Sequence, residues 1–171
     1  MKIFYVVLFF LNVSIISAQN NIFDVCRSGS LEDITKIYKF NPESINKKND
    51  QGYSALILAC YNGNEPVVTF LIDKVDDING SSDYGTPLMA AVVKGNLSIT
   101  KLLLDKKAKT NVTDANGTTA LHYATLFKQT EIAKLLVAAG ANYNLKDGNG
   151  KSAYDYALIN NNKELLTLFK K

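Results

Sequence analysis

Residues 114–144 read DANGTTALHYATLFKQTEIAKLLVAAGANYN. Two short apolar stretches lie between a glycine-containing opening and an asparagine-rich close. Thr119 stands just before the first stretch, where its hydroxyl can accept a free backbone N–H of a first helical turn. Ile132, Leu135 and Leu136 recur at helical spacing in the second stretch. The Asn, Asp and Gly residues at the ends suit turns that need positive φ. This segment therefore predicts helix, turn, helix, turn. Its first helix, ALHYATLF (120–127), carries more apolar surface than one core-facing stripe requires.

The same pattern recurs on both sides. Gly52, Gly85, Gly117 and Gly150 are spaced by 33, 32 and 33 residues. Asn46, Asn79, Asn111 and Asn144 keep that period, as do Ala59, Ala91, Ala124 and Ala157. The pairs Phe70-Leu71, Leu102-Leu103, Leu135-Leu136 and Leu168-Phe169 follow suit. Four independent landmarks on one period mark an array of repeats. Ser54, Thr86, Thr119 and Ser152 stand at the helix starts, and Pro87 occupies a first helical position, where its missing N–H does no harm. Gly63 and Gly95 fall where the first helix should end.

The chain resembles the ankyrin repeat family. Residues 114–144 match its D-x-x-G-x-T-P-L-H-x-A opening, its I-x-x-L-L helix and its G-A-x-x-N exit, and YGTPLMAAVVKGNLSITKLLL (84–104) is nearly as close. The resemblance covers about residues 21–171. It implies an all-α, ankyrin-type solenoid of about five helix-turn-helix repeats with short hairpin-like loops. The units are about 21–49, 50–82, 83–113, 114–146 and 147–171. The first unit lacks the T-P-L-H start and has one extra residue between Gly29 and Asn46, and the last stops at LLTLFKK. Both read as terminal caps, which are expected to be atypical. The third unit is one residue short between Gly85 and Thr86, so its loop tip should differ. Lys128 and Asn161 replace the inter-helix glycine in the last two units.

The first 18 residues have another character. Lys2 precedes the apolar run IFYVVLFFLNVSII, and SAQN follows it. This is the layout of a secretory signal peptide over residues 1–18, cut after Ala18 to leave Gln19 first. The run is shorter than the ~20 apolar residues of a membrane span. Cys26 lacks the small residues that would precede a lipid-anchored cysteine. The expectation is a secreted or periplasmic protein with no stable membrane anchor after signal removal.

Enzyme chemistry finds little support. His122 is the one histidine, so no Cys/His metal set is possible, and the resemblance implies that it braces a turn. There is no G-x-S-x-G, phosphate loop or dinucleotide fingerprint. Asp76-Asp77 lies at a repeat exit, where solvation is the simpler reading. We expect no catalytic residue, no metal and no cofactor. The net charge is only +3 and no basic stripe stands out, so nucleic acid is not an expected partner. Cys26 and Cys60 occupy equivalent places in neighbouring units. Stacked helices lie about 8–10 Å apart and a disulfide needs Cα atoms within about 7 Å, so two unbridged core thiols are expected. Asn96, Asn111 and Asn116 begin N-glycosylation patterns, which matter only in a eukaryotic secretory pathway.

The resemblance implies protein binding through a concave face built from loop tips and from exposed positions of each first helix. Leu121 and Ala124 repeat as Leu56/Ala59 and Leu88/Ala91, so they belong to the core. Leu126 and Phe127, just before the inter-helix turn, are implied to point outward. Their column gives an apolar ladder of Tyr61, Val93, Leu126 and Ile159, with Phe127 beside it and Tyr53 and Tyr84 at loop tips. Such a ladder either packs beneath neighbouring repeats or forms an open stripe. Exposed apolar patches often mark interaction sites, and aromatic residues are favoured anchors. The expected function is an exported binding module for an unidentified protein partner, acting as a monomer. The alternative is a secreted effector or enzyme whose activity lies in the repeats themselves.

Overall fold

A computed structural model of the chain describes residues 21–170. The expected export signal over residues 1–18, with its cut before Gln19, lies outside the described residues. The helices come in pairs: α1 (Ile22–Ser28) and α2 (Leu31–Phe40), α3 (Ala55–Asn62) and α4 (Glu65–Ile72), α5 (Pro87–Val93) and α6 (Leu97–Asp105), α7 (Ala120–Leu126) and α8 (Thr130–Ala138), α9 (Ala153–Ile159) and α10 (Lys163–Leu168). First helices stack on first helices and second on second, giving two layers along one axis. Among the described residues there is no strand. Isolated bridges, Lys48 to Ser54, Ser82 to Gly85 and Lys146 to Ser152, close hairpin-like loops. The fold is thus the all-α solenoid of helix-turn-helix repeats that the resemblance implied.

Local chemistry starts and stops each element. The hydroxyls of Ser54, Thr86, Thr119 and Ser152 accept the backbone N–H groups of Ile57, Met89, His122 and Asp155. Each such cap is worth ~1 kcal/mol. Gly63 and Gly95 end α3 and α5 with φ of 71° and 67°. Lys128 and Asn161 take the same left-handed conformation, at 57° and 50°. Gly29 does not: its φ is −81°. Glycine is needed there for space, because an added Cβ would lie 2.7 Å from the Val25 Cα.

The core repeats with the sequence. Ala59, Ala91, Ala124 and Ala157 are fully buried where the helices meet, flanked by Leu56, Leu88 and Leu121 from first helices and by Leu71, Leu103, Leu136 and Phe169 from second helices. Cys26 and Cys60 are unbridged and buried, as expected. The asparagine column joins the units. The side-chain oxygens of Asn46, Asn79 and Asn111 accept the N–H groups of Asp76, Lys109 and Asn142, at 3.0, 2.7 and 2.8 Å, each in the following unit.

The two irregular units absorb their irregularity locally. The extra residue of the first unit goes into a ten-residue α2 followed by a 3-10 turn at Pro42–Asn46. The short third unit closes its tip with reciprocal backbone bonds between Ser82 and Gly85, each 3.0 Å. The other tips reach one residue further, from Asn49 to Tyr53, Asp114 to Thr118 and Asp147 to Lys151. There the Asn or Asp side chain accepts two backbone N–H groups within the loop.

Candidate protein-binding surface

The ladder column lies two residues before each inter-helix turn, at the C-terminal ends of α3, α5, α7 and α9. One and two residues further back, Ala59/Cys60, Ala91/Val92 and Ala124/Thr125 are fully buried. The helical rotation that buries those residues turns the ladder away from the stack. Tyr61, Leu126, Phe127 and Ile159 are exposed, from 38% at Leu126 to 64% at Ile159. Val93 is half-buried. Of the two arrangements open from the sequence, the column is therefore mostly an open stripe.

Aromatic contacts organise the stripe. Tyr53, half-buried at its tip, stacks on the exposed Tyr84 with ring centres 5.3 Å apart. Burial, with Tyr84 and Tyr61 close by, pushes the Tyr53 hydroxyl pKa up. The Lys94 ammonium lies over the Tyr61 ring at 4.9 Å. These groups form one aromatic cluster on the side of the second and third units. On the fourth unit Phe127 stacks on Tyr123 at 6.1 Å. The Tyr123 hydroxyl donates to Asp114 Oδ2 at 2.6 Å, and burial followed by that carboxylate raises its pKa to about 12. Tyr156 repeats the device on Asp147 at 2.6 Å. An Asp nine residues before a Tyr, twice, was the sequence signal for these supports, and reading the ladder alone misses them.

The electrostatics are lopsided. Helices α3, α5 and α7 contain no Asp, Glu, Lys or Arg. The charges at their C-terminal ends are Lys94 and Lys128. At the first unit Arg27 takes the ladder position and is paired with Asp24 at 2.8 Å. The middle of the surface is thus apolar, edged by cations.

The remaining candidates are structural. Nδ1 of the buried His122 accepts the Thr119 backbone N–H at 3.1 Å, and its Nε2 faces the Lys151 carbonyl at 3.2 Å. That bonding places the ring proton on Nε2, and both nitrogens are committed to the scaffold. Among the described residues no group of three or more His, Cys, Asp or Glu side chains could hold a metal ion. No described helix is long and apolar enough to cross a membrane. Asn96 caps α6 by accepting the Ile99 N–H, Asn111 bridges two units, and Asn116 lies exposed at a loop tip.

Stacked helix pairs with an open first-helix surface define the class: a repeat protein built to bind other proteins. The family model for ankyrin repeats, in three copies, matches residues 22–114 and 106–171. The chain belongs to the ankyrin repeat family. It is 32% identical over 113 residues to ankyrin repeat and SAM domain-containing protein 6 of Rattus norvegicus, covering 65% of this chain and 13% of that protein. It is 45% identical over 71 residues to human ankyrin repeat and KH domain-containing protein 1, covering 41% of this chain and 3% of that protein. With human acyl-CoA-binding domain-containing protein 6 it shares 38% identity over 52 residues, 30% of this chain and 18% of that one. The chain thus spans less than a fifth of these relatives' length.

Proposed function

We propose that this chain is an exported ankyrin-repeat interaction module that holds a protein partner on its concave face. Tyr53, Tyr61, Tyr84, Val93, Leu126, Phe127 and Ile159 are its contact residues. The observation that carries the reading is the exposure of the ladder beside residues with none. Four units place an apolar or aromatic side chain in that column, exposed at Tyr61, Leu126 and Ile159 and half-buried at Val93. The repeated scaffold chemistry does not require it, since the first unit manages with Arg27. Export is supported by the Lys2-led apolar run and the small residues at Ser17 and Ala18. The binding role is preferred to catalysis because the polar groups with well-defined partners, His122, Asp114 and Asp147, are occupied by the repeats themselves.

The test pairs thermal melting with recovery of a partner from the native compartment. Leu126→Ser with Phe127→Ser should shift stability by little, because both residues are open to solvent; surface changes usually stay within about 0.5 kcal/mol. Loss of buried anchors should weaken the complex by about 2 kcal/mol or more, roughly thirtyfold. Adding Tyr61→Ser should weaken it further. Collapse of the fold would make the two residues core. Undiminished recovery with an intact fold would move binding to another face. N-terminal sequencing of the exported protein should begin at Gln19, give or take about two residues, and a mature protein starting at Met1 would refute the export.

A further inference from the structure

The first-helix side of the stack treats its two signs of charge differently. Its carboxylates are held by the chain itself: Asp24 is paired with Arg27 and Asp155 with Lys146, while Asp114 and Asp147 accept the Tyr123 and Tyr156 hydroxyls. Two cations at the C-terminal ends of the helices are not held in this way. Lys94, which follows Val93, and Lys128, which follows Phe127, are exposed and make no ion pair among the described residues. The Lys94 ammonium lies 4.9 Å from the centre of the Tyr61 ring. A cation is attracted to an aromatic face, so this charge stays within the apolar stripe instead of extending into water. The exposed acids Asp50 and Asp83 stand at the loop tips, before the first helices begin. The seven residues of α5 separate its tip from Lys94, roughly 10 Å at ~1.5 Å per residue.

On the basis of the concave-face reading, we propose that the stripe takes an extended, acidic segment of its protein partner. An Asp or Glu carboxylate of the segment sits on Lys94, and an aromatic or aliphatic side chain sits on Leu126 and Phe127. Partners bring complementary potentials together. A basic segment laid on the ladder would face two ammonium groups and reach carboxylates at the tips, off the apolar column. The spacing suits a single extended chain. Stacked helices lie about 8–10 Å apart. A polyproline-II chain advances ~3.1 Å per residue and repeats its side-chain direction every three residues. The acid over the third unit and the apolar residue over the fourth are therefore about three residues apart in the partner.

The probe is a phage-displayed library of random peptides of about twelve residues, long enough at ~3.1 Å per residue to cross four units. Peptides selected on the purified chain should carry an Asp or Glu about three residues from an aromatic or aliphatic residue. Lys94→Glu should weaken binding of a synthetic copy of such a peptide about tenfold, read by fluorescence anisotropy, with the melting temperature unchanged. Exchanging the peptide's acid for lysine should restore its binding to that variant. Lys101→Glu, the same charge change on α6, should leave the affinity as it was. Peptides without the acid, or binding that is lost with Leu126→Ser and Phe127→Ser yet indifferent to Lys94→Glu, would overturn the acidic segment and spare the concave-face reading. Acidic peptides indifferent to Leu126→Ser with Phe127→Ser would overturn both. A selection that returns no binder would overturn the extended segment and leave the face to a folded partner.

Discussion

At the scale of single residues, the two cysteines show how position governs reactivity. Both follow helical turns that place them between units, with no exposed surface. Burial pushes the Cys26 thiol up to about 12 despite the neighbouring Arg27, and it moves Cys60 in the same direction. A thiol must lose its proton to act as a nucleophile, so both should be inert in the folded protein. Iodoacetamide at pH 8 should leave the native chain unlabelled and modify two sites in denaturant, as read by mass spectrometry. Without reductant, the native mass should show no loss of two hydrogens. Rapid native labelling would mean that the end of the stack opens easily. The equivalence of Cys26 and Cys60 was legible from their distance to Gly29 and Gly63. The grip of Asp114 on Tyr123 was not, because period-reading registers apolar residues and passes over one tyrosine hydroxyl.

At the scale of elements, sequence reading located irregularities better than it described them. The missing residue before Thr86 was plain in the spacing of the glycines. Its consequence, a tip closed three residues from Ser82 instead of four, needed the backbone. Gly85 there has φ of 103°, and an added Cβ would lie 2.2 Å from the Met89 sulfur. Gly52, at the ordinary tip of the second unit, has φ of 80° and no neighbour within 4 Å of an added Cβ. Gly52→Ala should therefore cost only the strain of a left-handed alanine, roughly 1 kcal/mol. Gly85→Ala adds a collision with the fully buried Met89 and should cost about 2–4 kcal/mol. Urea melts of the two variants measure the difference, and equal midpoints would contradict the tip geometry. The asparagines were likewise found by period and read as turn residues. Their bonds to the next unit span 30 or 31 residues, a distance over which composition says nothing.

At the scale of the whole molecule, the stack is only as secure as its ends, since each unit touches only its neighbours. The carboxylates held below their ordinary range lie in the two terminal units. At Asp33 the Ser30 hydroxyl and N–H lower the pKa. At Asp155 the Lys146 ammonium lowers it first, with the Ser152 N–H and hydroxyl assisting. At Asp147 burial pushes upward but is outweighed by the Tyr156 hydroxyl and the loop N–H groups. A carboxylate lowered on folding contributes stability above its unfolded pKa, about 3.9 for Asp. That contribution is lost as pH falls through the folded value. The stability from these three groups should thus be constant from about pH 5 upward and decline below about pH 4. The decline should begin at the ends, where all three carboxylates are bound, two in helix caps and Asp147 in a loop tip. Hydrogen exchange near pH 3 should expose α1, α2, α9 and α10 before α5, α6, α7 and α8. Asp155→Asn removes one titrating group and should flatten the acid response of α9 and α10 while leaving that of α1 and α2. Simultaneous loss of protection across all ten described helices would show that the stack unfolds as one unit even under acid, and that the outer units are coupled to the core more tightly than nearest-neighbour stacking requires.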